Sequence, residues 1–341
     1  MSAPLVVVDA DVLGRHRTGD ETYVLNLLRG LAPLAAGAGV RIAAVTRRPE
    51  LVPDGIEPVE LRTRVQELRM GFAVARLLRR LGADLAHFQY ALPLFSPCPS
   101  VVTIHDLSFE REPALMKRRD RLIFKTVVPR AARKAARVLT VSERTRDDLR
   151  ELYGLADERI VVTPNGVDPA FTPGSSLSPG DYVLVVGAVQ QRKNPLAALA
   201  AAEAVGLPLV VAGPRKDEAL ARELEQRGAR VVGYVEQEEL ARLYRGAACL
   251  VQPSRYEGFG LPVLEAMASG TPVVAVPEPA LQEVAGDAAV WTDERGLAEG
   301  IRLAVAERER LVAAGLERAG RFSWAETARR TLAVYREVLG R

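Results

Sequence analysis

Ser254-Arg255-Tyr256-Glu257-Gly258-Phe259-Gly260-Leu261-Pro262-Val263-Leu264-Glu265 follows the apolar run Ala248–Gln252 and reads as a strand, a glycine-containing turn and the opening of a helix. Pro262 has no backbone N–H, which suits the first position of that helix and puts Glu265 in its first turn. Glu257 falls in the loop before the turn. The N–H groups that open a helix carry roughly half a positive charge and favour phosphate, and Gly258 and Gly260 let a ligand approach the backbone closely. With a carboxylate on either side of that anion site, the stretch predicts a ligand that combines a diphosphate with hydroxyl groups.

Outward from this stretch, short β-branched runs alternate with longer Ala/Leu/Arg-rich segments. Leu5–Val8, Val40–Thr46, Asp84–Phe88, Val101–His105 and Arg137–Val141 read as strands in the first half; Tyr182–Gly187, Leu209–Ala212, Arg230–Val232, Ala248–Gln252 and Pro272–Val276 repeat the pattern in the second. Such alternation implies parallel sheets covered by helices on both faces, hence an α/β chain of two doubly wound, Rossmann-like domains. Gly, Pro and Ser crowd together between Asn165 and Gly180 and periodicity stops there. The reading is therefore a first domain over 1–168, a linker over 169–180, a second domain over 181–321 and a terminal amphipathic helix within 322–341. In that helix Ser323 is the candidate N-cap, and Trp324, Leu332, Val334, Tyr335 and Val338 are candidates for burial.

Composition bounds the function. The chain has 341 residues, 48% hydrophobic and 26% charged, the balance of a folded globular protein with room for two cores. Its net charge of +3 comes with no aromatic-rich basic motif, which argues against nucleic acid as a partner. Cys98 and Cys249 are too few and too far apart for a disulfide framework or a cysteine-based metal site, as expected for a reducing cytoplasm. The start Met1-Ser2-Ala3-Pro4 runs straight into a strand without a charged and apolar leader, and no apolar run is long enough to span a membrane.

The longer segment S-R-Y-E-G-F-G-L-P-V-L-E-A-M-A-S-G-T-P-V-V-A resembles the donor-site signature of retaining glycosyltransferases of family 4. Two acids at this spacing alone would carry little, because charges recur on solvated helix faces by chance. The resemblance implies the GT-B fold, with two Rossmann-like domains facing across a cleft and the last helix, F-S-W-A-E-T-A-R-R-T-L-A-V-Y-R-E-V-L, crossing back onto the first. It implies transfer of a hexose from a nucleotide diphosphate sugar to a hydroxyl, with retention and with no metal or other cofactor. Donor binding is expected at Glu257, Gly258, Phe259, Gly260, Leu261 and Glu265, with the two acids holding sugar and ribose hydroxyls.

The diphosphate is expected to meet a second helix start. The strand ending at Gly187 leads into Ala188-Val189-Gln190-Gln191-Arg192-Lys193-Asn194-Pro195, where Asn194 suits an N-cap and Pro195 the first helical position. Members of the family commonly carry an Arg just after the glycine, where this chain has Ala188, and a Lys later in the loop. The Lys carries over to Lys193, and the neighbouring Arg192 stands as a replacement guanidinium. Gly233-Tyr234-Val235 resembles the loop that holds the base, so Tyr234 and Val235 join the donor set. Gly19 keeps the place of a family glycine after the first strand.

On the acceptor side, Val101-Val102-Thr103-Ile104-His105-Asp106 delivers an imidazole to the edge of the first sheet and resembles the family's His-Asp segment. By that resemblance His105 joins Lys193 and Glu257 as the catalytic set, while a histidine satisfied inside the fold stays the alternative. His87 and Asp106 are candidates for the acceptor pocket. Asp20 and Glu21 replace small or basic family residues; they favour the N-terminus of the next helix and would repel phosphate. Basic residues between Lys117 and Arg137, interleaved with Leu122, Ile123, Phe124, Val127 and Val128 and interrupted at Pro129, form a candidate contact with anionic lipid at the inner membrane face.

Three functions stay open at this point: a cytoplasmic transferase acting on a glycan or lipid-linked acceptor, with GDP-mannose as first donor candidate from the resemblance of V-G-A-V-Q-Q-R-K-N-P to mannosyltransferase-like relatives; a nucleotide-sugar epimerase or hydrolase on the same frame; and a catalytically inactive nucleotide-binding protein. Dinucleotide-dependent redox chemistry is disfavoured, because no Gly-x-Gly-x-x-Gly follows the first strand.

Overall fold

The computed structural model describes residues 3–15, 18–63, 72–115, 118–174 and 180–340. It divides into two compact units, residues 1–166 with 324–341 and residues 167–323. Part of the expected linker, residues 175–179, lies outside the described residues.

The first unit is built on strands β1 (Leu5–Asp9), β2 (Arg41–Thr46), β3 (Glu57–Glu60), β4 (Leu85–Gln89), β5 (Ser100–Ile104), β6 (Arg137–Thr140) and β7 (Ile160–Val162). They pair in parallel in the order β3-β2-β1-β4-β5-β6-β7. The helices are α1 (Thr18–Ala35), α2 (Val74–Leu81), α3 (Ser108–Arg111), α4 (Arg118–Lys134) and α5 (Glu143–Tyr153). The central runs are buried on both faces, as near-continuous Val, Ile and Leu require of strands in a parallel sheet. Edge strand β3 was not expected from sequence. It carries Glu57, Pro58 and Glu60 and is largely exposed, so it lacks the apolar signature of a buried strand. Helix α4 runs on through Pro129, which does not interrupt it.

The second unit has strands β8 (Val183–Val186), β9 (Leu209–Ala212), β10 (Arg230–Gly233), β11 (Cys249–Gln252), β12 (Val273–Ala275) and β13 (Val290–Trp291), all parallel, in the order β10-β9-β8-β11-β12-β13. Its helices are α6 (Pro195–Val205), α7 (Glu218–Gln226), α8 (Gln237–Gly246), α9 (Leu261–Ala268), α10 (Pro279–Ala285), α11 (Leu297–Ala306) and α12 (Arg308–Ala319). In both sheets the chain reverses its direction of travel once, between β1 and β4 and between β8 and β11. Ligands of open α/β sheets bind beyond the carboxyl ends of the strands at that switch point.

The last helix, α13 (Trp324–Val338), belongs to the first unit and packs on α1. Trp324, Leu332, Val334 and Tyr335 are buried, whereas Val338 is only partly so. Gly30, inside α1, permits the approach: a Cβ there would lie 2.7 Å from Ala328 Cβ and 2.9 Å from the Trp324 carbonyl oxygen. Polar side chains fix the register. His87 on β4 bonds the Tyr335 hydroxyl through Nδ1 at 2.5 Å and Thr103 Oγ1 through Nε2 at 2.7 Å, and Thr103 Oγ1 is 3.1 Å from the Tyr23 hydroxyl of α1. Among the described residues no helix is long and apolar enough to cross a membrane.

On an open helix face Gly→Ala stabilises by about 1 kcal/mol. At Gly30 the contact with α13 reverses the sign, because crowding a packed interface costs about 1–3 kcal/mol. Thermal denaturation of Gly30→Ala is expected to show a lowered midpoint; a raised one would contradict this packing.

Candidate donor and catalytic site

Beyond the switch point of the second sheet, the β8–α6 loop and the β11–α9 loop lie side by side. Arg255 N–H donates to the Arg192 carbonyl at 3.0 Å, and the Arg192 guanidinium reaches back to the Tyr256 carbonyl. Lys193 Nζ donates to both oxygens of Glu257, at 2.5 and 2.8 Å, and Arg192 Nη1 stands 3.5 Å from Glu257 Oε2. Gln252, the last residue of β11, donates to Glu257 Oε1 at 2.7 Å. The Glu257 side chain is only 7% exposed, Lys193 12% and Arg192 16%. Burial alone would raise the Glu257 pKa, but Lys193 and Arg192 overcome it and hold the group at about 2. Glu257 is thus a carboxylate shared by two cations.

Backbone geometry makes room for this arrangement. Gly187 follows β8 at φ 136°, and a side chain there would crowd Lys193 Cε at 3.3 Å. Gly213, at φ 146° after β9, would put a Cβ 2.1 Å from the Gly187 carbonyl oxygen. The helices that follow the strands of this sheet differ at their starts. Asp217 accepts from Leu220 N–H at the start of α7, and Glu278 Oε2 from Ala280 N–H and Leu281 N–H at the start of α10, while α6, α8, α9 and α11 have no side-chain cap. Of the uncapped starts, those of α6 and α9 belong to the loops that hold the ion cluster.

Several expectations need correction. Helix α9 starts at Leu261 with Gly260 as its N-cap residue, so Pro262 is the second position and Glu265 lies in the second turn. Gly260 takes φ 109°, which lets the turn close tightly enough to gain the extra residue. Asn194 occupies the N-cap position of α6 in a left-handed conformation, φ 50°, and its side chain caps nothing. Phe259 is buried, its ring 5.9 Å from Phe322, and so packs inside the unit. Gly258 and Leu261 are partly exposed. Tyr234 and Val235 follow β10 at the same edge, with Tyr234 exposed.

Glu265 is buried and receives the Tyr244 hydroxyl on Oε2 at 2.8 Å. Burial, opposed by that hydrogen bond and assisted by nearby Asp168, raises its pKa to about 8. In the first unit His105 follows β5, with Nε2 2.9 Å from Gln89 Oε1. Burial lowers its pKa, while Asp20 and Asp106 pull it upward. Asp106 Oδ1 accepts from the N–H and hydroxyl of Ser108, closing the turn into α3. His87 does not face an acceptor: it is 0% exposed, both ring nitrogens have partners, and burial lowers its pKa to about 3. Gly19 lies near the start of α1, exposed, with open space where a Cβ would be. His16 and Arg17 of the loop before it lie outside the described residues. Gln252, Tyr244 and Gln89 were missed; for Gln252 and Gln89 the available signal was a polar residue closing an apolar strand.

Comparison with known proteins agrees with the geometry. The glycosyltransferase family 4 model matches residues 17–171 and the model of glycosyl transferases group 1 matches residues 174–318. An O-antigen chain mannosyltransferase B of Escherichia coli is 32% identical over 269 residues, 70% of either chain. The chain belongs to glycosyltransferase family 4. The fold is shared with a sucrose-phosphate synthase of Thermosynechococcus elongatus, at TM-score 0.79 and 21% identity over 99% of both chains. It is also shared with Anabaena HepE solved with UDP-glucose, at TM-score 0.77 and 16% identity over 98% of this chain and 99% of that one. This glycosyltransferase therefore has the two-unit GT-B fold.

The raised Glu265 pKa sets a pH dependence. An unfolded chain ionises this group above its ordinary 4.5, whereas the folded protein keeps the proton up to about 8. Unfolding releases a proton between those values, so this group's contribution to stability falls as pH rises through the window. Glu265→Gln is expected to flatten the decline of the melting midpoint from about pH 5 to 8; an unchanged slope would contradict the assignment.

Proposed function

We propose that this glycosyltransferase moves a hexose, with GDP-mannose as first donor candidate, to a hydroxyl of a glycan or lipid-linked acceptor, with retention and without a metal ion. One observation carries the reading: two cations converge on one buried carboxylate beside two uncapped helix starts at the switch point of the second sheet. A departing diphosphate needs fixed positive charge that requires no reorganisation during the reaction. Glu257 orients Lys193 for that task and offers its remaining lone pairs to sugar hydroxyls, while Glu265 Oε1 serves a ribose hydroxyl. The mannose choice is supported by the name of the Escherichia coli relative.

Retention follows if the acceptor attacks the face the phosphate leaves, with the leaving phosphate oxygen taking the acceptor's proton. Glu257 is already held by Lys193 and Gln252, which supports a role in orientation over one as a covalent nucleophile. His105 is proposed as the imidazole that the reacting sugar meets, and Asp106 as the residue that shapes its loop.

A lipid-linked acceptor draws support from the first unit. Leu122 is 70% exposed and Ile123 48% on α4, which also carries Arg119, Arg121, Lys125, Arg130 and Arg133. Arg130 donates to the carbonyls of Leu92, Pro93 and Leu94, tying α4 to the loop bearing exposed Leu94 and Phe95. Basic and apolar groups together suit an anionic lipid surface. Lys117 of the basic run lies outside the described residues.

Lys193→Ala is expected to lower turnover by about 100-fold or more, the scale of losing one transition-state donor, while Arg192 and Gln252 keep Glu257 in place and the fold intact. Near-wild-type turnover would remove Lys193 from this role. Chelation by EDTA is expected to leave the rate unchanged, and a chelator-sensitive rate restored by added divalent metal would overturn the metal-free step. A thermal-shift series of GDP-, UDP- and ADP-sugars should single out one donor by stabilisation of the native state. Co-sedimentation with phosphatidylglycerol vesicles should occur at low salt and weaken at high salt; negligible binding at both removes the membrane contact.

A further inference from the structure

The crevice at the switch point of the first sheet lies beyond β1 and β4, next to the end of β5, and it holds a group that the donor site does not use. Gln89, the last residue of β4, places its side-chain oxygen 2.9 Å from His105 Nε2. The amide nitrogen of the same side chain is buried without a hydrogen-bond partner among the described residues. An amide donor left unmet in the interior is costly, so such a group needs an explanation. A second irregularity adjoins it. Tyr90 takes φ 58°, a sparsely populated conformation for a residue with a side chain, and Ala91 N–H closes the turn onto the Gln89 carbonyl at 2.6 Å. The turn sets the Tyr90 ring 5.5 Å from the His105 ring, while Tyr23 of α1 makes a T-shaped contact with the same imidazole, centroids 4.7 Å apart. His105 is thus gripped on its rings by two tyrosines and on one nitrogen by Gln89.

We propose that Gln89 is the positioning residue of His105: its side-chain carbonyl holds Nε2–H so that the imidazole presents the Nδ1 lone pair, and its amide nitrogen donates to a hydroxyl of the bound sugar. The two halves support each other. A sugar oxygen on the amide nitrogen fixes which end of the amide faces His105, and that choice fixes the tautomer of the ring. Substrate and imidazole are thereby read by one planar side chain. The charged groups acting on His105 are Asp20 from α1 and Asp106 after β5, which favour the imidazolium, and His105 in turn disfavours a charge on His87 of β4. Desolvation opposes the two acids and keeps the ring neutral. The inference rests on His105 meeting the sugar, but its first half is measurable in the free protein.

The chain has three histidines, so two-bond proton–nitrogen correlation spectra of the uniformly 15N-labelled protein are assignable with His105→Gln and His16→Gln. The wild-type protein at pH 7–8 is expected to show His105 as the Nε2–H tautomer. Gln89→Met should admit the Nδ1–H form, lower kcat by about 10–100-fold, the size typical of losing an orienting partner, and raise donor KM through the lost amide contact. Gln89→Glu should keep the Nε2–H form and move the acid limb of kcat/KM upward by about one pH unit or more, since a carboxylate beside the ring favours the imidazolium. Unchanged His87 signals certify the fold of each variant. An Nδ1–H tautomer in the wild type, or a Gln89→Met protein with unaltered tautomer and kcat, would overturn the proposal. If the tautomer is as expected while transfer is absent, the positioning stands and the transferase reading fails alone.

Discussion

A buried carboxylate shared by two cations is the interaction on which the donor site depends. Taking any one of these charges out of water costs several kcal/mol, and a lone charge at this depth would shift its protonation state or drive the loops apart. Removing Glu257 takes away the carboxylate that Lys193 and Arg192 both meet, and neither loop contains another acid. The consequence is rigidity: the β8–α6 and β11–α9 loops are bound into one piece by a charge network, the Arg255–Arg192 backbone bond and the Arg192–Tyr256 contact. Such an arrangement adds little stability over a well-packed apolar cluster. Its use is a positive field fixed in place before any ligand arrives.

The sheet supplies what the ion cluster cannot. Lys193 and Glu257 are separated by a long stretch of chain, and only the pairing of β8 with β11 sets their loops side by side. Close approach then requires backbone without side chains at Gly187 and Gly213. The first unit has the same grammar with different content. Beyond β1 the buried Asp11 meets both Arg15 and Arg47, the end of β4 carries Gln89 and Tyr90 beside His105, and the interior is tied by the hydroxyl and imidazole chain from Tyr335 through His87 and Thr103 to Tyr23. That chain links the last helix to the strand that ends at Gln89.

Most of the fold was legible because the central strands must be apolar on both faces. Leu5–Val8 and Leu209–Ala212 announce themselves for that reason. The edge strands β3, β7 and β13 were not seen: they are short, and β3 bears charges and a proline that protect an open edge while erasing the pattern. Lys193, Arg192 and Glu257 were found as separate candidates, since each sits in a recognisable motif. Their mutual contact was invisible, because distance across a sheet leaves no mark on either loop. His87 shows the converse failure. A histidine near the end of a strand reads as an edge residue, yet the packing of α13 over β4 seals it inside, and nothing in Asp84–Phe88 reveals which helix will cover it. Glu265 was displaced by one position because the left-handed Gly260 starts α9 before Pro262.

The donor site is defined by where the diphosphate lies. A crystal structure of this glycosyltransferase with an intact nucleotide diphosphate sugar measures that directly. The β-phosphate is expected within hydrogen-bonding distance of Lys193 Nζ, between the starts of α6 and α9, with sugar hydroxyls on Glu257 and a ribose hydroxyl on Glu265. A nucleotide sugar bound elsewhere in the molecule, with the Lys193–Glu257 pair undisturbed and no phosphate beside it, would contradict it.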